Sequence, residues 1–169
     1  MKKLLLLSAL VLLSCTKPEN VERMEVLLDG DWYGVEITNH LIAPGLFDTL
    51  HPHSTTDLIS NFDTLKGTFI VDSLGKRLDS ASLSIDSDSV ITVIGADNAV
   101  DWSFDRKMII DIGLPILSEL ESQFTGNQKF KILKITENEL VLYFDEIVPV
   151  SYQSFTADIE MRHTQYWQK

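Results

Sequence analysis

Short segments of alternating apolar and polar residues, separated by turn residues, fill most of the chain beyond its first third. The clearest example is 155–162, where Phe155, Ala157, Ile159 and Met161 alternate with polar or charged residues. Because successive side chains of a β-strand point to opposite faces, this period of two predicts a strand with one buried face. Such segments recur about every 8–12 residues, which is typical of an antiparallel all-β barrel or sandwich.

We predict about nine strands, joined by short turns in which Asp, Ser and Asn side chains bond their own backbone. The strand-like segments are 29–37, 67–71, 81–86, 90–94, 99–105, 107–112, 128–136, 140–144 and 155–162. Residues 38–60 contain Pro44, Pro52 and scattered apolar residues, and we expect a long loop there.

Two stretches have helical character instead. Apolar residues at 21, 24, 27 and 28 recur at helical spacing and predict a short helix at 21–28, before the first strand. Pro115 suits the first position of a helix, and apolar residues at 116, 117, 120 and 124 predict a short helix near 115–124.

The N-terminus has the pattern of an export signal. Lys2 and Lys3 precede an apolar run at 4–13, and Ser14 and Cys15 follow it. A charged start, a short apolar centre and a small residue before the cut define a secretory signal. The run is too short to span a bilayer, which needs about 20 apolar residues.

The ending Leu12-Leu13-Ser14-Cys15 resembles the lipobox of bacterial lipoproteins. In that family the cysteine becomes the first mature residue and carries lipid. The resemblance implies a signal peptide at 1–14, a lipidated Cys15 with its tether at 15–24, and one domain at 25–169. The alternative is an ordinary secreted protein with an unused thiol, although an unpaired cysteine is unusual in an oxidising compartment.

Charge and cysteine content exclude several classes of function. The net charge is −11, and loss of Lys2 and Lys3 brings it to −13. A chain this acidic is repelled by phosphate backbones and by anionic headgroups, so we expect no nucleic-acid partner, and membrane contact only through the lipid on Cys15. Cys15 is the single cysteine, so lipidation leaves no thiol for catalysis, zinc binding or disulfides.

Two segments resemble lipocalins. Gly30-Asp31-Trp32-Tyr33-Gly34-Val35 is similar to their Gly-x-Trp opening strand, and 130–142 is similar to the late hairpin of bacterial lipocalin-like lipoproteins. The resemblance covers about residues 25–163 and implies an all-β fold, an antiparallel up-and-down β-barrel. The middle lipocalin motif, a Thr-Asp-Tyr-type turn, is missing, and another β-sandwich or barrel is the alternative.

In lipocalins the tryptophan closes the barrel floor beneath an arginine from near the end of the last strand. The resemblance therefore assigns the floor to Gly30, Trp32 and Arg162. Alternation places Arg162 on the face opposite Phe155 and Met161, so this contact requires the strand to twist or to stop at Met161.

A barrel of eight to ten strands encloses space for its own side chains or for one small ligand. Because the inward positions are largely apolar, the expected ligand is hydrophobic or amphipathic. The 38–66 segment would then cover the open end as a lid. The chain is accordingly predicted to be a lipid-anchored carrier or sensor. The alternative is a solid barrel that serves as a structural or interaction module and binds another envelope protein.

Other motifs carry little chemistry. His51 and His53, with His40 and Asp48 nearby, suggest a metal site, but Pro52 and a loop setting lack the rigidity it needs. No catalytic motif such as Gly-x-Ser-x-Gly or His-Glu-x-x-His occurs in the sequence. We therefore expect no enzyme activity, no metal and no cofactor.

Five Asp-Ser/Thr-apolar triplets resemble the O-glycosylation motif of exported proteins in some Gram-negative bacteria. The acceptors would be Thr49, Thr64, Ser73, Ser80 and Ser89. A turn followed by the first apolar residue of a strand gives the same triplet, so both interpretations stay open.

Thr16, which follows the lipobox cysteine, bears on the choice of membrane. An Asp at that position would resemble the signal for retention in the inner membrane. Its absence favours the outer membrane of a Gram-negative bacterium.

Overall fold

The computed structural model describes residues 19–86, 89–96, 98, 127–152 and 155–169. The strands predicted at 99–105 and 107–112, the helix near 115–124 and Cys15 lie outside these ranges. The described elements are one helix and nine strands: α1 Glu19–Leu28, β1 Gly30–Ala43, β2 Phe47–Ser54, β3 Leu58–Asp63, β4 Thr68–Ser73, β5 Lys76–Ile85, β6 Val90–Ile94, β7 Asn127–Ile135, β8 Glu139–Tyr152 and β9 Phe155–Gln168.

Helix α1 confirms the predicted N-terminal helix, although it begins at Glu19, so the later part of the expected tether is helical. Glu19 and Glu22 lie in its first turn, where acidic side chains oppose the positive end of the helix dipole. Val21, Met24 and Leu28 are buried against the barrel. The helix is short, and none of the described helices is long and apolar enough to cross a membrane.

The strands form a closed barrel, because each pairs antiparallel with its neighbour and β1 also pairs with β9. Both β2 and β3 pair with the same edge of β1, β2 with its second half and β3 with its first four residues. They therefore act as one bent strand, and the barrel is equivalent to one of eight strands. The predicted antiparallel up-and-down barrel is confirmed.

The expectation of a long loop at 38–60 is wrong. Strand β1 continues to Ala43, β2 forms a hairpin with it, and β3 begins at Leu58. The inward residues of β2 are Phe47, Thr49, His51 and His53, and their mixed polarity hides the period of two in the sequence. The 38–66 segment is therefore barrel wall and does not form a lid.

A close backbone approach fixes the point where β2 meets β3. The β1–β9 register shifts between Gly34 and Glu36, and the carbonyl of Val35 accepts a hydrogen bond from the Thr55 amide at 3.3 Å. A Cβ on Gly34 would lie 2.3 Å from the carbonyl oxygen of Thr55. Only glycine fits there, and its small size brings Thr55 into the wall beside β1.

The core follows the inward face of the barrel. Its largest fully buried side chains come from the helix and from strands around the whole wall: Trp32, Phe62, Leu28, Ile37, Leu41, Ile91, Leu140 and Ile159. Phe62 and Phe69 lie on adjacent strands with ring centroids 4.9 Å apart, a favourable tilted packing.

Candidate functional site

The barrel floor is built on Trp32, which is fully buried at the start of β1. Its Nε1 donates a 2.7 Å hydrogen bond to the carbonyl of Leu28 at the end of α1. The ammonium of Lys169 lies 4.6 Å from the centre of the indole ring and donates to the carbonyls of Leu27 (2.9 Å) and Asp29 (2.8 Å). Lys169 therefore ties the C-terminus of the chain to the end of the helix and covers the tryptophan.

Gly30 and Trp32 lie at the start of β1, and Arg162, which the resemblance also assigned to the floor, pairs with His40 much farther along that strand. The Arg162 guanidinium is on the outer surface, where it bonds the Glu160 carboxylate at 2.6 Å and 2.7 Å. Strand β9 continues well past Arg162 to Gln168, so Lys169 takes the position over Trp32. Inward burial of His163, Gln165 and Trp167 continues the alternation of 155–162, and that continuation is the sequence signal for the longer strand.

Polar side chains interrupt the apolar lining on three adjacent strands. In the register of the sheet, Asn39 of β1 lies between His51 of β2 and His163 of β9. The neighbouring inward row contains Ile37 between His53 and Gln165. Asn39, His163 and Gln165 are at most 1% exposed.

Four of these inward groups form one hydrogen-bonded chain with a fixed direction. The indole N–H of Trp167 can only donate, and it donates to Gln165 Oε1 at 3.1 Å. The Gln165 amide then donates to His163 Nε2 at 2.9 Å, and His163 Nδ1–H donates to Asn39 Oδ1 at 2.7 Å. The imidazole is therefore the neutral Nδ1–H tautomer, with no place for a second proton.

The electrostatics of the site agree with this assignment. Burial is the main reason that the pKa of His163 is lowered from 6.5 to about 3. The positive charge of a protonated His53 makes a smaller contribution in the same direction. The inner histidine is thus neutral across the physiological range, and the wall around it carries no positive charge from this residue.

Two buried hydroxyls lie on the same side of the barrel. Ser60 is fully buried, pairs with Trp32 on β1 and with Val71 on β4, and its Oγ has no hydrogen-bond partner within the described part of the chain. Thr55 is 2% exposed, and its Oγ1 likewise has no partner there. No sequence pattern marks either group, since serine and threonine are common in turns and exposed strands.

The suggested metal ligands do not come together. His40 Nε2 lies 2.6 Å from the Asp48 carboxylate on the outer surface, whereas His51 and His53 belong to the inward face of β2. Among the residues that the structure describes, no group of three or more histidine, cysteine or acidic side chains is placed to hold a metal ion.

The five glycosylation candidates have different surroundings. The amide and hydroxyl of Thr64 donate to the Asp29 carboxylate, and the Ser73 hydroxyl donates to the Asp57 carboxylate. Thr49 is half-buried on the inward face of β2, and Ser89 is half-buried with a φ of 62°. Ser80 is exposed on the outer face of β5 and is the most accessible of the five.

A groove of about 400 Å³ lies at the barrel end opposite the floor. It is lined by the β1–β2 turn and by the start of β9, namely Ala43, Pro44, Leu46, Thr156, Ala157 and Asp158. A second groove of about 490 Å³ lies where β6, β7 and β8 meet, beside Phe144 and Glu146. Each exceeds the roughly 300 Å³ that a small-molecule site requires.

The architecture is that of a lipocalin-like barrel. It has the equivalent of eight antiparallel strands, the first strand pairs with the last, and a helix leads into a Gly-x-Trp strand. A lipocalin-like protein from Bacteroides uniformis is 17% identical, with a TM-score of 0.44, over 85% of this chain and 98% of its own. An uncharacterized protein from Bacteroides eggerthii is 15% identical, with a TM-score of 0.41, over 84% of this chain and 98% of its own.

A deswapped triple mutant of bovine odorant binding protein is 18% identical, with a TM-score of 0.36, over 85% of this chain and 74% of its own. These likenesses concern the fold alone. No family model matches the chain, and no curated protein matches it significantly.

The first prediction separates Lys169 from Arg162 as the floor residue. Lys169→Met removes two hydrogen bonds and the cation–π contact, so the free energy of unfolding should fall by about 1–2 kcal/mol. The control Arg162→Met removes only an exposed ion pair and should change stability little. Urea unfolding measures both variants, and an equal effect of the two changes would contradict the assignment.

The second prediction concerns pH. Because the pKa of His163 is lowered on folding, the unfolded chain binds the extra proton below pH 6.5, and stability falls as the pH decreases toward 3. Between pH 7 and pH 5 the free energy of unfolding should drop by about 2 kcal/mol more in the wild type than in His163→Gln. Parallel pH profiles of the two proteins would refute a neutral buried histidine.

Proposed function

We propose that the protein is a non-enzymatic, lipid-anchored carrier or sensor in the outer membrane of a Gram-negative bacterium. Its ligand is one small hydrophobic or amphipathic molecule, held inside the barrel. The observation that carries this proposal is a closed eight-strand barrel whose apolar lining contains the buried hydroxyls of Thr55 and Ser60, neither of which has a hydrogen-bond partner among the described residues.

Barrel size supports the proposal, because eight strands leave an interior that either its own side chains fill or one small ligand occupies. The hydroxyls of Thr55 and Ser60, which have no partner within the described ranges, favour the second arrangement. A buried polar group without a hydrogen bond lowers stability by about 1–3 kcal/mol. A barrel filled only by its own side chains gains nothing from such a group.

The anchor is proposed from the sequence. Lipid on Cys15 would hold the protein at the membrane, and only residues 16–18 separate Cys15 from helix α1. Three extended residues span about 10 Å, so the barrel would lie close to the lipid surface, where an apolar molecule could enter from the membrane.

The second candidate function is an interaction module that binds another envelope protein. It is favoured by two exposed apolar side chains, Val26 (77% exposed) and Leu65 (95% exposed). Both line a groove of about 470 Å³ beside the helix, together with Glu22, Glu25 and Asp29. A partner for this surface would carry basic residues around an apolar contact.

The third prediction uses two substitutions at adjacent residues to test whether a small molecule binds inside the barrel. Thr49 faces inward from β2, and Leu50 faces outward and is 60% exposed. Thr49→Trp should fill the interior and weaken binding of an uncharged fluorescent probe, 1-aminoanthracene, at least about tenfold. Leu50→Trp places the same side chain outside and should leave the probe affinity unchanged.

Fluorescence titration measures the affinity and the stoichiometry, expected to be one probe per chain. Failure of the wild-type protein to bind the probe, or equal weakening by both substitutions, would count against an interior ligand site and favour the interaction module.

A further inference from the structure

The strongest unexplained feature of the interior is the pair of buried hydroxyls on Thr55 and Ser60. Both side chains are at least 98% buried, and neither hydroxyl has a hydrogen-bond partner among the described residues. Native proteins satisfy nearly all buried polar atoms, so each exception needs an explanation.

Their placement is built into the backbone. Ser60 occupies an inward position of β3 opposite Trp32, and Thr55 is brought against β1 because Gly34 has no side chain. Both hydroxyls therefore lie near the start of β1, on the wall where β2 and β3 meet this strand.

We propose that Thr55 and Ser60 form a polar subsite that binds the uncharged hydrogen-bonding group of an amphipathic ligand, such as an alcohol or a primary amide. The apolar chain of that ligand packs along the inward residues of the barrel. This inference rests on the proposed function and specifies the chemical class of its ligand.

The charges of the wall decide between an uncharged group and an ionised carboxylate. Every lysine and arginine in the described part of the chain is exposed, so none faces the interior. The buried acidic residue Asp79 accepts hydrogen bonds from the amides of Ser80 and Asn98 and would repel an anion. A buried carboxylate would therefore find no lysine or arginine as its counter-charge, which is unfavourable.

Hydroxyl groups have the opposite preference. A serine or threonine hydroxyl donates one hydrogen bond and accepts others. An alcohol or amide uses both capacities, so it satisfies the subsite without bringing a net charge into the barrel.

The experiment measures displacement of 1-aminoanthracene from the full-length mature protein at pH 7 by 1-decanol, decanoate and n-decane. Decanol should bind at least about tenfold more tightly than decanoate. Ser60→Ala and Thr55→Val should each weaken decanol binding about fivefold to tenfold and leave n-decane binding unchanged.

Two control variants accompany them. Thr55→Ser keeps the hydroxyl and should keep the decanol affinity. Ser84→Ala removes an exposed hydroxyl from the outer face of β5 and should have no effect. Thermal unfolding shows whether each variant is folded, and the wild-type preference for decanol over decanoate tests the subsite without any substitution.

The outcomes separate this inference from the proposed function. If decanoate binds as tightly as decanol, or if Ser60→Ala and Thr55→Val bind decanol like the wild type, the hydroxyls have only a structural role and the subsite is overturned, while the carrier stands. If no aliphatic compound displaces the probe, the carrier fails as well.

Discussion

The pairing of the first strand with the last is the constraint on which the rest of the structure depends. Strand β1 pairs with β9 along almost its whole length, and β9 pairs with β8 along its own. This closure places Asn39 beside His163 and brings Lys169 to Trp32, although these residues are far apart in the chain. The polar row, the floor and the buried hydroxyls all lie on or beside these strands.

Closure also explains why the polar interior is stable. The chain of hydrogen bonds from Trp167 to Asn39 satisfies four buried groups at once, and it forms only when β9 is in register with β1. Such a network rigidifies a wall when it is complete and is costly when it is broken. The wall beneath it can therefore hold Thr55 and Ser60 in fixed positions.

Much of the barrel could be predicted from the sequence, since the alternation at 81–86 and 155–162 and the Gly-x-Trp motif each describe local structure. The β1–β2 hairpin was missed because Asn39, His51 and His53 place polar residues at inward positions. Lys169 was missed because the length of β9 depends on its pairing with β1 and β8. The position of the Thr55 hydroxyl depends on the contact between Gly34 and Thr55, which no local pattern reveals.

Native mass spectrometry of the protein purified from membranes of its own host tests whether the barrel carries a ligand. An acylated chain beginning at Cys15 should lose a single small mass on denaturation. The lost mass should belong to an uncharged amphipathic molecule. A native mass equal to the denatured mass in every preparation would contradict the carrier and leave a solid barrel that binds only protein partners.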